Sequence, residues 1–168
     1  MAQSHPPRGR RSAALSPTAT PAPPGRPREA SPPIERYRDD YITVHQEAAG
    51  LLLRLTRSAL PHPDAATLRR SFEGVIQTLD RVGRKGRVML FDTRAPIGRN
   101  DPWFEESMAT LRPRIDQDFV CIGVLVASAV GALQLRRWVS ADGIERIIAS
   151  REDELLAALL TSPSSRPQ

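Results

Sequence analysis

Three features of this 168-residue chain predict an α/β fold. Residues 41–57 have the pattern of an antiparallel hairpin. Two uncharged apolar runs, at 88–91 and 119–127, are typical of parallel strands that are covered on both faces. Segments with helical spacing or helix-start signals lie between and after these runs. The prediction is an N-terminal β-hairpin followed by alternating helices and strands, which gives a five-stranded mixed sheet with about four helices.

The hairpin is predicted from alternation on either side of a glycine turn. Residues 41–47 alternate between apolar and polar side chains, and Leu51, Leu53 and Leu55 share one face of the next segment. Residues 48–50 end in a glycine, which a tight turn favours.

The first helix should begin after Asp64, whose carboxylate can accept a hydrogen bond from a first-turn N–H. Apolar residues recur at helical spacing from Leu68 to Leu79, and Gly83 can end the helix. The buried strand at 88–91 follows.

The second helix is predicted to begin at Asp101 and Pro102, because proline at the first helical position loses no helical hydrogen bond. Glu105 and Glu106 lie in its first turn, where the helix dipole accounts for negative charge. Pro113 should end or kink this helix.

The C-terminal part is predicted to continue the alternation. Ser128 can cap a helix that reaches about residue 140. A short strand at 144–149 and an amphipathic helix at 154–160 complete the expected order.

Net charge divides the chain into a basic tail and a neutral domain. Residues 1–38 hold seven arginines, two glutamates and nine of the 16 prolines, so they should be disordered. The remaining 17 basic and 17 acidic residues cancel. The predicted organisation is a disordered tail at 1–38, an α/β domain at 39–162 and a disordered C-terminus at 163–168. Nucleic-acid binding is expected at most weakly, through the tail.

The expected location is the cytoplasm, without a membrane span. Residues 119–135 carry no charge, but their β-branched first half and small residues favour a strand followed by a helix. Residues 1–38 contain no apolar segment of the kind a signal peptide needs. Cys121 is the only cysteine, so no disulfide framework is expected.

The candidate site is the stretch Arg87–Glu106, in which a strand ends on Asp92 and a loop leads into a helix. Ligands of open α/β folds usually bind at the carboxyl ends of strands. With the amides of the helix start, the loop could bind a partner or hold an anion. The candidate residues are Asp92, Arg94, Arg99, Asn100 and Trp103.

A structural interpretation of the same loop stays open. Asp92 and Asp101 lie beside the two arginines and could be their ion-pair partners, fixing the connection between strand and helix. Trp103 is more often a packing residue at such a position, although an exposed tryptophan would be a good interface anchor.

The element order and the segment LFDTRAPIGRNDPWFE resemble STAS-like domains, the class of the bacterial anti-sigma-factor antagonists and the CRAL-TRIO-type lipid-binding domains grouped with them. The later segment VLVASAVGALQLRRW is similar too, and the resemblance covers about residues 38–162. It implies a regulatory module of bacterial signal transduction that binds another protein.

The resemblance also implies a possible phosphosite. In the antagonists a kinase modifies a serine or threonine directly after an aspartate at the strand-to-helix turn, and Thr93 follows Asp92 here. The usual Asp-Ser-Ser-Gly run is absent, and an eight-residue loop replaces the immediate helix start. If Thr93 is modified, Arg94 could pair with the added charge.

The sequence contains no recognisable catalytic set. His5, His45 and His62 are not placed to activate Cys121, and no glycine-rich phosphate loop or nucleophile elbow is present. We therefore expect no enzyme activity, no cofactor and no metal ion.

The favoured hypothesis is a non-catalytic STAS-like module for protein–protein interaction in signalling or anti-sigma-type regulation, whose partner and oligomeric state are not predicted. The alternative is a domain of the same fold that binds a small molecule, a lipid or an anion through Arg94 and Arg99. A cavity between the sheet and the helix after Asp101 would favour this alternative.

Overall fold

The structure, a computed structural model, describes residues 32–97, 101–128, 130–133, 135 and 146–161. In this part of the chain it has a six-stranded sheet and four helical segments. The strands are β1 (Ile34–Arg38), β2 (Ile42–Glu47), β3 (Leu52–Arg57), β4 (Val88–Asp92), β5 (Cys121–Leu125) and β6 (Arg146–Ala149). The helices are α1 (Ala65–Val82), α2 (Pro102–Asp116), α3, which includes residues 130–133 and 135, and α4 (Glu152–Thr161).

The strands lie in the sheet in the order in which they occur along the chain. The first three pair antiparallel, and β3 to β6 pair parallel. The α/β class, the mixed sheet, the early hairpin and the helix count are thus confirmed.

The predicted strand count of five is wrong, because β1 adds a sixth strand. It pairs with β2 and lies inside residues 1–38, which were assigned to the tail. Its side chains are mostly exposed, with Ile34 at 50%, so no buried pattern marks it in the sequence. Tyr37 contacts the core and donates a hydrogen bond to Asp39 Oδ2 at 2.8 Å.

Local signals set the hairpin turn and the ends of α1. Ala48, Ala49 and Gly50 all have positive φ, at 49°, 53° and 94°, which reverses the chain between β2 and β3. The Asp64 side chain caps α1 by accepting from Thr67 N at 2.7 Å, as predicted.

The two faces of the sheet carry separate cores. One face of β2 to β5 packs against α1 and α2, with Phe72, Met89 and Ile122 among its buried residues. The other face packs against α4 through Leu90, Leu155 and other leucines.

The prediction that Pro113 ends or kinks α2 is wrong in its first part, since the helix runs on to Asp116. Proline removes one helical hydrogen bond, but tertiary contacts hold the last turn. Ile115 is buried, and Arg84 donates hydrogen bonds to the carbonyls of Arg114 and Ile115.

The strand predicted at 119–127 is β5, which is shorter than expected, and the helix predicted at 154–160 is α4, which is longer. The strand predicted at 144–149 is β6. Residues 144 and 145 lie outside the described residues, as does the end of the helix predicted to reach about residue 140. None of the helices that the structure describes is both long and apolar enough to cross a bilayer.

Candidate functional site

Asp92 and Arg94 form an ion pair at the carboxyl end of β4. Arg94 Nη2 lies 2.6 Å from Asp92 Oδ2, Arg94 Nε lies 3.0 Å from Oδ1, and the Arg94 amide also donates to Oδ1 at 3.1 Å. The loop therefore turns back on the strand end in the way the structural interpretation describes.

This pair belongs to a longer chain of charges that reaches α4. Arg94 Nη2 lies 2.9 Å from Glu152 Oε2, and Arg54 Nη1 lies 2.9 Å from Glu152 Oε1. Arg54 also contacts Glu47 at 2.8 Å. Glu152 is in the first turn of α4, so the network ties the start of α4 to the sheet.

The protonation of Asp92 follows from these contacts. Burial alone would raise its pKa, but hydrogen bonds from the Arg94 side chain and amide outweigh this effect and lower the pKa below its ordinary value. The same pairing raises the pKa of Arg94. Both groups are charged and already engaged, which leaves Arg94 poorly placed as an anion receptor.

Thr93 lies between this network and the interior. Its hydroxyl donates to the carbonyl of Leu125 at 2.9 Å, and its amide donates to the same oxygen at 2.8 Å. A kinase would have to pull the half-buried hydroxyl away from β5. Phosphorylation of Thr93 stays a prediction.

Of the other three candidate residues, the structure describes only Trp103. Arg99 and Asn100 lie outside the described residues. Trp103 is half-buried, packs against the main core and meets Phe104 edge-on, with ring centroids 6.0 Å apart. Packing, the more frequent role for such a tryptophan, accounts for its position.

A cavity of about 400 Å³ lies between the sheet and the helices α2 and α3. Its walls are largely apolar. Side chains of β4, β5 and the segment after β5 form the floor, and those of α2 and α3 form the opposite wall. The apolar lining consists of Met89, Phe91, Phe104, Met108, Ile115, Ile122, Val124, Val126, Val130 and Leu135, with Pro96 and Ile97 from the loop after β4.

Charged side chains occupy limited parts of this lining. Arg146 forms a buried ion pair with Asp116, and Arg57 Nη2 lies 3.3 Å from His62 Nδ1. Arg112 is the third arginine of the wall, and Glu105 is the second carboxylate.

Glu105 lacks the close ion pair that Asp116 forms with Arg146. Its Oε2 atom is buried and makes no hydrogen bond within the described residues. Its ion-pair partner among the described residues is Arg112, whose Nη2 lies 3.9 Å from Oε2, which is too long for a hydrogen bond. Burial raises the pKa of Glu105, and the charge of Arg112 opposes this only in part.

The mouth of the cavity is apolar and open to solvent. Ile97 is 87% exposed and Val130 is 65% exposed, and both line the cavity. Leu133, one helical turn after Val130, is 61% exposed. Exposed aliphatic side chains that lie together in this way mark a surface that can bind another molecule.

The cavity shares little with the site that the sequence predicted. Thr93 lines it, but Asp92, Arg94 and Trp103 do not. Arg57 could have been found from alternation, because it follows Leu53 and Leu55 on the inward face of β3. Among the residues that the structure describes, no group of three His, Cys, Asp or Glu side chains is placed to hold a metal ion.

Comparisons with family models, with curated proteins and with solved structures found no match for this chain. The resemblance to STAS-like domains stays a prediction.

Proposed function

We propose that this domain is a non-catalytic binding module that takes a small, largely apolar molecule into the cavity between the sheet and α2. The cavity itself carries the proposal. Its volume of about 400 Å³ and its mainly apolar lining are typical of small-molecule sites, which span ~300–1,000 Å³.

Three further properties support binding in this cavity. Its floor is part of a packed core, so the site is largely preformed and little ordering accompanies binding. Its few polar groups are concentrated in arginines and carboxylates, which can orient a ligand. Its mouth is lined by exposed Ile97 and Val130, which gives an apolar route from solvent.

The anion-binding role that was predicted for Arg94 is not part of this proposal. Asp92 and Glu152 neutralise its guanidinium, and the cavity lining does not include it. The alternative of a small-molecule domain is therefore kept with a different set of residues.

The test measures binding of a neutral fluorescent probe, 1-N-phenylnaphthylamine, to the purified full chain. Wild type should bind the probe with saturation. Val124→Phe should abolish binding, because the added ring fills the floor of the cavity. The matched control is Val82→Phe, which makes the same change at a half-buried position of α1 outside the cavity and should leave binding unchanged.

Two results would contradict the proposal. One is a folded wild-type protein that shows no saturable probe binding. The other is equal binding by wild type and Val124→Phe, since the probe would then lie elsewhere.

A second candidate function is the protein-interaction module of bacterial regulation. The exposed aliphatic side chains of Ile97, Val130 and Leu133 favour it, because they provide a contact surface next to the loop after β4. Leu133→Ser should remove a captured partner and leave probe binding intact, because Leu133 is exposed and does not line the cavity. A partner retained by this variant argues against this surface.

A further inference from the structure

We infer that the ligand of this cavity carries a neutral hydroxyl group on an apolar body, and that its O–H donates a hydrogen bond to Glu105 Oε2. This inference rests on the proposed function and specifies the chemical class of the ligand.

The first reason for a hydroxyl group is the hydrogen-bond acceptor that Glu105 offers to the cavity. Glu105 Oε2 is a buried oxygen on the wall of the cavity, and no hydrogen bond within the described residues satisfies it. Buried polar atoms in folded proteins nearly always have a partner, either from the protein or from ordered water, whose place a ligand can take. A ligand with a donor at its end would supply that partner.

The surrounding charges decide which donor fits. Arg57, Arg112 and Arg146 line the cavity together with Glu105 and Asp116, and Arg146 is already paired with Asp116. An ammonium group would gain Glu105 but would lie close to Arg112, whose Nη2 is 3.9 Å from Glu105 Oε2, in a region of low dielectric. A hydroxyl group brings a donor without a second charge.

A carboxylate fits less well for a different reason. It has no hydrogen to donate, so Glu105 Oε2 would stay without a partner and would face a like charge. Asp116, the other carboxylate of the described lining, is paired with Arg146, so this arginine is already engaged. The missing donor and the like charge at Glu105 therefore favour alcohols over fatty acids of the same length.

The experiment compares octan-1-ol, octanoate and octylamine as competitors of 1-N-phenylnaphthylamine at neutral pH. The alcohol should compete about tenfold more strongly than either charged compound, the size expected for one hydrogen bond to a charged acceptor. Glu105→Leu should remove this advantage, because leucine keeps the bulk of the side chain and lacks the acceptor.

The matched control is Glu106→Leu, which removes the neighbouring carboxylate from the exposed face of α2 and should preserve the preference for the alcohol. Probe binding by each variant reports that its cavity is intact. A preference for octanoate or octylamine, equal competition by all three compounds, or an unchanged preference in Glu105→Leu would overturn the inference while the proposed function stands. A wild-type protein that binds neither the probe nor any competitor would overturn the proposed function itself.

Discussion

Replacing Arg84 with methionine should destabilise the fold strongly, because this side chain joins the ends of two helices. Its guanidinium is only 3% exposed. Nη1 donates to the carbonyls of Arg114 and Ile115 in the last turn of α2, and Nη2 donates to Asp80 at 2.7 Å. Methionine has a similar length but no donor, so the buried carbonyl of Ile115 and the partly buried carbonyl of Arg114 would lose this partner.

The expected loss follows from the groups left behind. Each buried acceptor that loses its partner costs ~1–3 kcal/mol, and the better packing of methionine offsets part of this cost, so the free energy of unfolding should fall by about 2–5 kcal/mol. Against a typical total of roughly 5–15 kcal/mol, this is a large fraction. With a urea dependence of ~2 kcal/mol per molar, the middle of the usual range, the unfolding midpoint should fall by about 1–2.5 M.

Urea unfolding followed by circular dichroism measures this shift. The control is Lys85→Met, which removes a basic residue from the exposed turn next to Arg84 and should change the midpoint little. Arg84→Lys should be intermediate, because one ammonium cannot reach all the acceptors that the guanidinium reaches. Equal midpoints for Arg84→Met and Lys85→Met would refute the reasoning.

Three further predictions concern packing and pH. Gly74→Ala should lower the melting temperature although alanine favours helices, because its Cβ would lie 2.6–2.8 Å from the ring and hydroxyl of Tyr37; a higher melting temperature would contradict this. Burial alone would raise the pKa of Asp39, but its hydrogen bonds, above all the one from Ser71, lower the pKa overall. The free energy of unfolding should therefore fall as the pH drops below 3.8, the ordinary pKa of this carboxyl. Asp39→Asn should flatten that acid limb in urea unfolding measured against pH. Burial raises the pKa of Glu105 above its ordinary value of 4.5. Its contribution to the free energy of unfolding is therefore present below pH 4.5 and is lost as the pH rises through the higher pKa of the folded state. Glu105→Gln should remove that loss, and an unchanged dependence of stability on pH would argue against a buried carboxyl.

The elements that could be predicted are those with local signals. Asp64 caps α1 and Gly83 ends it with a φ of 87°, and both roles depend only on neighbouring backbone groups. Ser128 likewise accepts from Gly131 N at 3.2 Å at the start of α3. Such contacts join residues three or four positions apart, so the sequence contains all the information they need.

Long-range packing accounts for what could not be predicted. The strand β1 has few buried side chains, and its place in the sheet depends on backbone pairing with β2. Arg84 precedes an ordinary turn in the sequence, and only the packing of α1 against α2 shows that it is buried. The cavity exists because the side chains do not fill all of the volume that the sheet and the helices enclose. A pattern of residue types does not show this difference in volume.

The loop after β4 shows how strand alternation divides a candidate site between two faces of a sheet. Val88, Leu90 and Asp92 alternate toward α4, whereas Met89 and Phe91 face α2 and the cavity. Asp92 therefore meets Arg94 and the start of α4, and Thr93, the next residue, lines the cavity on the opposite face. Adjacent residues of one motif thus act in separate environments, since successive side chains of a strand point in opposite directions. A substitution at Asp92 should loosen the attachment of α4 through Glu152, whereas a change at Thr93 should alter the cavity, so the two positions need separate experiments.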